Sequence, residues 1–419
     1  MMRSRQQAEP GKHRKVAGVV HVDAVAGSQI RPGGQDEASG QVQAGGGVQA
    51  GGHFQADGRA QAERLTAQLL AGEPARSPVE VAGRLLAIQG QDARGARLAI
   101  RSRTTGLTVD DVDRALTDDR SLVITWLNRG TLHLVRSEDY WWLHALTARP
   151  QLQRAVRHML ASAGVTDAGA DKGVAVIEAA LAADGPLTRM QLRAIIAVAG
   201  LPAQENLALH LIALASMQGV AVRGPMMGAQ HAYVHTAEWL GKPPRELDRD
   251  VALAELARRY LTGHGPASDR DLAKWAGLPL GDVRRGLSAI AAELRERPDG
   301  LAELAVSHRR EASLPAPRLL GAYDPVLLGW ASREPVLGSH QGIVTVNGLF
   351  RPFALVDGKA AGIWSWTRGQ VALNRFGELP ADAEAALAAE ARDVRRFLAG
   401  AAEAGGPDDQ QREAGPRSR

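Results

Sequence analysis

GPLTRMQLRAIIAVAGLP at residues 185–202 and GPASDRDLAKWAGLP at residues 265–279 are two versions of one phrase, with starts 80 residues apart. Each opens on Gly-Pro, places a hydroxyl residue (Thr188 or Ser268) where a helix needs its N-cap, carries Leu192 or Leu272 inside that helix, and stops at Gly-Leu-Pro. Thr188 with Gln191 three residues on spells a capping box. A helix precedes each phrase, over about Val174 to Ala183 and Val251 to Thr262, and a third follows each turn. After the first copy, Gly219 to Val234 (GVAVRGPMMGAQHAYV) reads as a hairpin.

Helix, helix, turn, helix and hairpin is the winged-helix order of elements. The rest of the chain is divided from these two units outward. Residues 1–60 are rich in Gly, Gln and Ala without apolar periodicity and read as a disordered leader; a start codon placed too far upstream gives the same pattern. Ser77-Pro78-Val79-Glu80 starts a helix whose face Val79, Ala82, Leu85, Leu86 extends by spacing to Gln89. Thr108 to Asp111 opens another. Leu122 to Leu127, Asn128-Arg129-Gly130 and Thr131 to Val135 read as strand, turn, strand, and Ser137 is placed to cap a helix carrying Tyr140, Trp141 and Trp142. From about Arg318 strands are expected over Gly342 to Val346, Phe350 to Val356, Ala361 to Trp366 and Gln370 to Leu373, before a closing helix from Pro380 to Leu398. The expected fold is α+β, mainly α: winged-helix domains over 61–165, 166–245 and 246–315, a β-rich part over 316–399, and a disordered tail over 400–419.

Composition removes several classes of chemistry. The 419 residues include no cysteine, which excludes disulfides, a thiolate nucleophile and thiolate metal sites. No apolar run approaches a membrane span and the start is charged, so a cytosolic protein is expected, without membrane contact. Net charge is +4, and only six of the fifty basic residues are lysine. Guanidinium forks suit phosphate, although a GC-rich coding sequence produces the same arginine bias. His231 and His235 fall on a strand, where their spacing is not that of a helical ligand pair, and no metal or cofactor is expected.

Polar and basic residues crowd together at Ala87-Ile88-Gln89-Gly90-Gln91-Asp92, followed by Arg94, Arg97, Arg101 and Arg103. From the residues alone, two readings stand: glutamines making local hydrogen bonds at a helix end, or amides and guanidiniums receiving a charged ligand. Leu85 to Gln91 (LLAIQGQ), Leu98 to Arg103 (LAIRSR), Trp126 to His133 (WLNRGTLH), Tyr323 to Trp330 (YDPVLLGW) and Val356 to Trp364 (VDGKAAGIW) stand in the order and spacing found in one family. The chain over about 62–399 resembles the AlkZ-like winged-helix DNA glycosylases.

The resemblance implies three tandem winged helices in a C shape around a channel for damaged double-stranded DNA, with the catalytic Gln-x-Gln motif on Gln89 and Gln91. It implies an enzyme that releases N7-alkylated purines and unhooks interstrand crosslinks; with no lysine in the motif phrase a monofunctional hydrolase is expected, as a monomer associated with the nucleoid. Arg94, Arg97, Arg101, Arg103 and Arg129 become DNA-binding candidates, with Thr131 and His133 in support. Relatives carrying Gln-x-Asp have a carboxylate where Gln91 stands, so Asp92 receives no role. The alternative is a non-catalytic winged-helix DNA-binding protein or transcriptional regulator.

Overall fold

The computed structural model describes residues 50–400, apart from 228–229, 244–247, 296 and 306–311, and gives only the backbone for 50–57 and 341. The expected leader and tail lie almost wholly outside the described residues. Helix α1 (Ala50–Ala67) nevertheless crosses the boundary placed at residue 60, so regular structure begins earlier than the apolar pattern suggested.

Helix α2 (Pro78–Leu85) starts as its sequence requires: Ser77 Oγ accepts the Glu80 N–H at 3.1 Å, and Pro78 fills the first position, where no N–H is needed. It stops short of the predicted stripe. Leu86 takes φ +63°, which no helix continues, and the chain extends into β1 (Ile88–Gln89). Gln89 is therefore a strand residue, a correction to the helical reading. Helices α3 (Ala93–Arg101) and α4 (Val109–Thr117) follow, then β2 (Leu122–Leu127) and β3 (Thr131–Arg136), paired in register as expected. Ser137 does not cap; its hydroxyl donates to Arg120 O at 2.5 Å, and one 3₁₀ turn leads into α5 (Tyr140–Thr147) and α6 (Pro150–Ser162).

The repeated phrases fold alike. The first unit comprises α7 (Asp167–Asp184), α8 (Arg189–Val198), α9 (Glu205–Met217), the hairpin β4 (Ala221–Met227) and β5 (Gln230–His235), and α10 (Thr236–Leu240). The second comprises α11 (Arg249–His264), α12 (Asp269–Ala276), α13 (Leu280–Ala289) and a short hairpin, β6 (Leu294–Arg295) with β7 (Glu303–Leu304). Thr188 and Ser268 both form capping boxes, and Gly200 and Gly277 take φ of +75° and +70° at the turns. The hairpin ahead of the first copy and that of the first copy are stitched through Ile124 and Arg223 into one antiparallel sheet, ordered β1-β3-β2-β4-β5. The segments 61–165 and 166–245 thus share a sheet and a core.

The C-terminal part contains β8 (Arg318–Leu320), α14 (Glu334–Leu337), β9 (Phe353–Val356), β10 (Lys359–Thr367) and β11 (Gln370–Arg375), in an antiparallel sheet ordered β11-β10-β9-β8 and closed by α15 (Ala381–Ala399). Gly342 to Val346 is not a strand. A 3₁₀ turn covers Gln341–Ile343, and Val344 makes only a single bridge to Phe350. The fold is a mixed α and antiparallel β structure, and no helix among the described residues is long and apolar enough to cross a membrane.

Helix α3 lies directly on the backbone after β8: a Cβ on Gly95 would stand 2.3 Å from Ala322 O. Gly95→Val should therefore cost about 1–3 kcal/mol by overpacking. A urea midpoint equal to that of the wild type would contradict this close approach.

Candidate active site

Strand β1 exists because β3 offers it an edge. Ile88 stands opposite Leu134 and Gln89 opposite His133, while His133 on its other side faces Thr125 of β2. Directly opposed residues project from the same face. Gln89, His133 and Thr125 therefore form a buried polar rank across three neighbouring strands, at 7%, 2% and 0% exposure.

Both glutamines have a fixed orientation. Gln89 Oε1 accepts from Arg129 Nη2 at 3.1 Å, and Gln91 Oε1 accepts from the Leu132 backbone N–H at 2.9 Å. Guanidinium and peptide N–H groups can only donate, so each carboxamide must turn its oxygen to its protein partner. The uncommitted end of each is its NH₂ group, for which the described residues supply no acceptor. Gly90, between them, donates to Leu132 O at 2.7 Å, which holds the two glutamines on the sheet edge.

Arg129 is seated by the second repeat. Its φ of +58° is uncommon for a side-chain-bearing residue, and a Cβ on Gly277 would lie 3.0 Å from both Arg129 N and Cγ. Arg129 Nη1 also donates to Trp275 O, at the end of α12. The second Gly-Leu-Pro turn thus packs against the Asn128-Arg129-Gly130 turn and directs the guanidinium to Gln89. Burial, and then the charge of Arg333, push the Arg129 pKa down to about 10, so it is still cationic at neutral pH.

His133 is held neutral. Burial first and Arg129 second push its pKa down to about 3. Its Nδ1–H donates to Thr131 O at 2.9 Å, which leaves the lone pair on Nε2. Thr131 Oγ1 closes the turn by donating to Asn128 O at 3.1 Å.

Three of the predicted DNA-binding arginines point into the protein. Arg97, Arg101 and Arg103 are 5%, 3% and 1% exposed. Arg97 pairs with Asp113; Arg101 reaches Glu390 at 2.8 Å and Asp393 at 2.7 Å on α15; and Arg103 clasps Asp324 at 2.9 and 3.0 Å. These pairs fasten α3 to α4, α15 and the start of the C-terminal part, which corrects the expectation of a basic DNA face here. Arg94 alone of that series is exposed, on the first turn of α3. Asp92 is the cap of α3, its Oδ1 accepting the Gly95 N–H at 2.5 Å. Asp324, read from sequence as a turn residue, does cap Val326 at 3.0 Å, and it is also the buried counter-charge of Arg103. His231 and His235 lie on β5 as expected, and the described residues contain no group of three or more His, Cys, Asp or Glu able to hold a metal.

The sequence reading missed Thr125, Lys274 and Arg333. Thr125 left a faint signal, as the one polar residue within LVITWL. Lys274 and Arg333 come near Arg129 only through tertiary folding, as their mutual charge effects show.

Residues 82–397 match the family described as DNA glycosylase AlkZ-like. The chain is 28% identical over 376 residues to an interstrand DNA cross-link repair glycosylase of Streptomyces sahachiroi, a match covering 80% of this chain and 96% of the relative. Its fold is similar to the solved structure of Streptomyces sahachiroi DNA glycosylase AlkZ, with a TM-score of 0.65 at 24% identity, over 81% of this chain and 96% of the other. The buried polar rank of Gln89, His133 and Thr125 lies inside the matched span, and the chain belongs to the AlkZ-like DNA glycosylase family.

Proposed function

We propose that this protein is a monofunctional DNA glycosylase that hydrolyses N7-alkylated purines in double-stranded DNA, those of interstrand crosslinks included, with Gln89 and Gln91 as its catalytic residues. Three winged-helix units, from residues 61, 166 and 246, would then present one concave face to the duplex. The observation that carries this reading is the forced orientation of the two amides, each with its oxygen anchored and its NH₂ uncommitted.

That arrangement suits the chemistry. An N7-alkylated purine is cationic and leaves without a strong acid, so the sugar passes through an oxocarbenium-like state. A water is then needed at the anomeric carbon. A water oxygen has two lone pairs, so one NH₂ donor can hold it through one of them while the other stays free to attack, the second NH₂ being left to orient the nucleotide; rigid anchoring is what makes such positioning effective. The free Nε2 of His133 provides an acceptor toward which a water proton can be aimed. With its pKa about 3, His133 adds no positive charge beside the developing cation. Lysine is absent from the motif, which favours hydrolysis over Schiff-base lyase chemistry.

Single-turnover release of N7-methylguanine from duplex DNA tests the proposal. Gln89→Ala and Gln91→Ala should each slow it about a hundredfold or more, with duplex affinity within a few-fold of wild type. Equal rates for wild type and both variants would remove the amides from the mechanism. An inactive wild type that protects one operator sequence would favour the regulator instead.

A further inference from the structure

We propose that Arg149, Lys274 and Arg333, together with Arg129, form a phosphate cradle beside Gln89 that takes the backbone phosphates flanking the damaged nucleotide. This inference rests on the proposed glycosylase reading and names the part of the substrate that these groups hold.

The four cations converge on one patch. Arg129 Nη1 donates to Trp275 O, Arg149 Nη1 to Gly277 O at 2.7 Å, Lys274 Nζ to Ala331 O at 2.8 Å, and Arg333 Nε to Leu327 O at 2.8 Å. Every one of these acceptors is a neutral carbonyl, and among the described residues none of the four makes an ion pair. Arg97, Arg101, Arg103, Arg258, Arg259 and Arg297 all have carboxylate partners. The acid that acts on Lys274, Asp271, is also engaged by Arg64 at 3.4 Å, the Ala331 N–H at 2.8 Å and Ser268 at 2.9 Å. Like charges therefore outweigh the one acid in reach: burial, then Arg333, then Arg129 lower the Lys274 pKa, and Asp271 only partly opposes them. Lys274 is exposed and the three arginines are half-buried, so the patch is open to a ligand.

Each carbonyl contact uses one donor and orients the group, while the remaining N–H groups of each cation stay available. A cluster of oriented cationic donors without ion pairs is a site for an oxyanion with several acceptor oxygens. Arg129 links it to catalysis, because its fork reaches Gln89 Oε1 and the cradle at once. The arrangement also answers an electrostatic need: Asp92, the carboxylate beside the motif, is used as a helix cap. Phosphates drawn in by the cradle would bring negative charge to the cationic sugar.

The test uses the full chain and a random-sequence duplex carrying a central N7-methylguanine with a 2′-fluoro sugar, which resists cleavage. Binding is measured from low to high salt for wild type, Lys274→Gln, Arg333→Gln and the double variant, with Arg333→Lys as the charge-retaining control. Each lost contact should lower the slope of log affinity against log salt by about 0.9, equally for damaged and undamaged duplexes, and Arg333→Lys should restore most of it. Replacing single phosphates beside the lesion by methylphosphonate should weaken wild type and leave the double variant nearly unaffected. Unchanged slopes, or a methylphosphonate penalty equal in both proteins, would overturn the cradle. Base release by wild type from the 2′-deoxy substrate is measured separately, so loss of the catalytic reading with these slope changes intact would leave the cradle standing.

Discussion

Asp324→Ala should cost about 3–5 kcal/mol of stability, the largest single-residue loss expected in this chain, because it strands the Arg103 guanidinium without a counter-charge. Both side chains are fully shielded from solvent. Arg103 is held on every side: by Asp324 at 2.9 and 3.0 Å, by Gln68 O at 2.8 Å, by Ala99 O at 2.9 Å and by Gln68 Oε1 at 3.1 Å. The destabilisation comes from the uncompensated buried charge rather than from the number of bonds broken. Arg103→Met combined with Asp324→Leu should therefore destabilise less than the two single changes added together, since no charge is left inside. Urea unfolding of the four proteins measures this coupling. An Asp324→Ala variant, unfolded alongside them, whose stability lies within about 1 kcal/mol of wild type, or strict additivity in the cycle, would show that solvent reaches the pair.

The second large effect is on pH. His133, His231 and His264 are each pushed down to about 3, with burial as the first cause; Arg129, Arg97 and Arg103 respectively contribute through their charge. Between pH 6.5 and 3 the unfolded chain binds protons at these histidines that the folded chain does not, so stability falls as pH falls through that window. Above pH 6.5 their slope fades as the unfolded histidines lose their protons. Each supplies up to about 1.4 kcal/mol per pH unit, so near pH 5 the three give a slope of about 4 kcal/mol per unit. His264 stacks on Tyr260 at 4.8 Å and packs against Trp275 and Trp330, so His264→Phe should keep the packing and remove one proton from the slope. A stability profile that stays flat from pH 7 to pH 5 would mean that these rings are already open to protonation in the folded protein.

Local chemistry was legible wherever one short segment decides the outcome. Thr188, Ser268 and Ser77 cap the helices they announce, because a cap is made by a hydroxyl and an N–H three residues away. Ser137 broke the rule when Arg120 O, 17 residues back across the hairpin, captured its hydroxyl. Gln89 was placed on a helix because Val79, Ala82, Leu85 and Leu86 have helical spacing. The competing partner was a strand edge more than forty residues later, which spacing cannot reveal.

Arginine position was the least legible feature. Arg94, Arg97, Arg101 and Arg103 look alike in the chain, yet their fates depend on Asp113, Glu390, Asp393 and Asp324, two of which lie nearly 300 residues away. A guanidinium binds DNA phosphate only if no carboxylate of its own protein reaches it first. The opposite case is Lys274 and Arg333, which were overlooked and end up unpaired beside Arg129.

By itself the sequence determined the repeated helix–turn–helix units, their caps and left-handed glycines, the principal hairpins, the absence of cysteine and the pair of glutamines at Gln89 and Gln91. These are matters of residue type and short-range spacing. Tertiary structure alone decided that Gln89 sits on a sheet edge, that both amides turn their NH₂ groups free, and which arginines are spent on internal acids. Those outcomes depend on donors and acceptors that meet only after distant segments pack, and hydrogen bonds and ion pairs carry no trace in the chain of which partner will arrive.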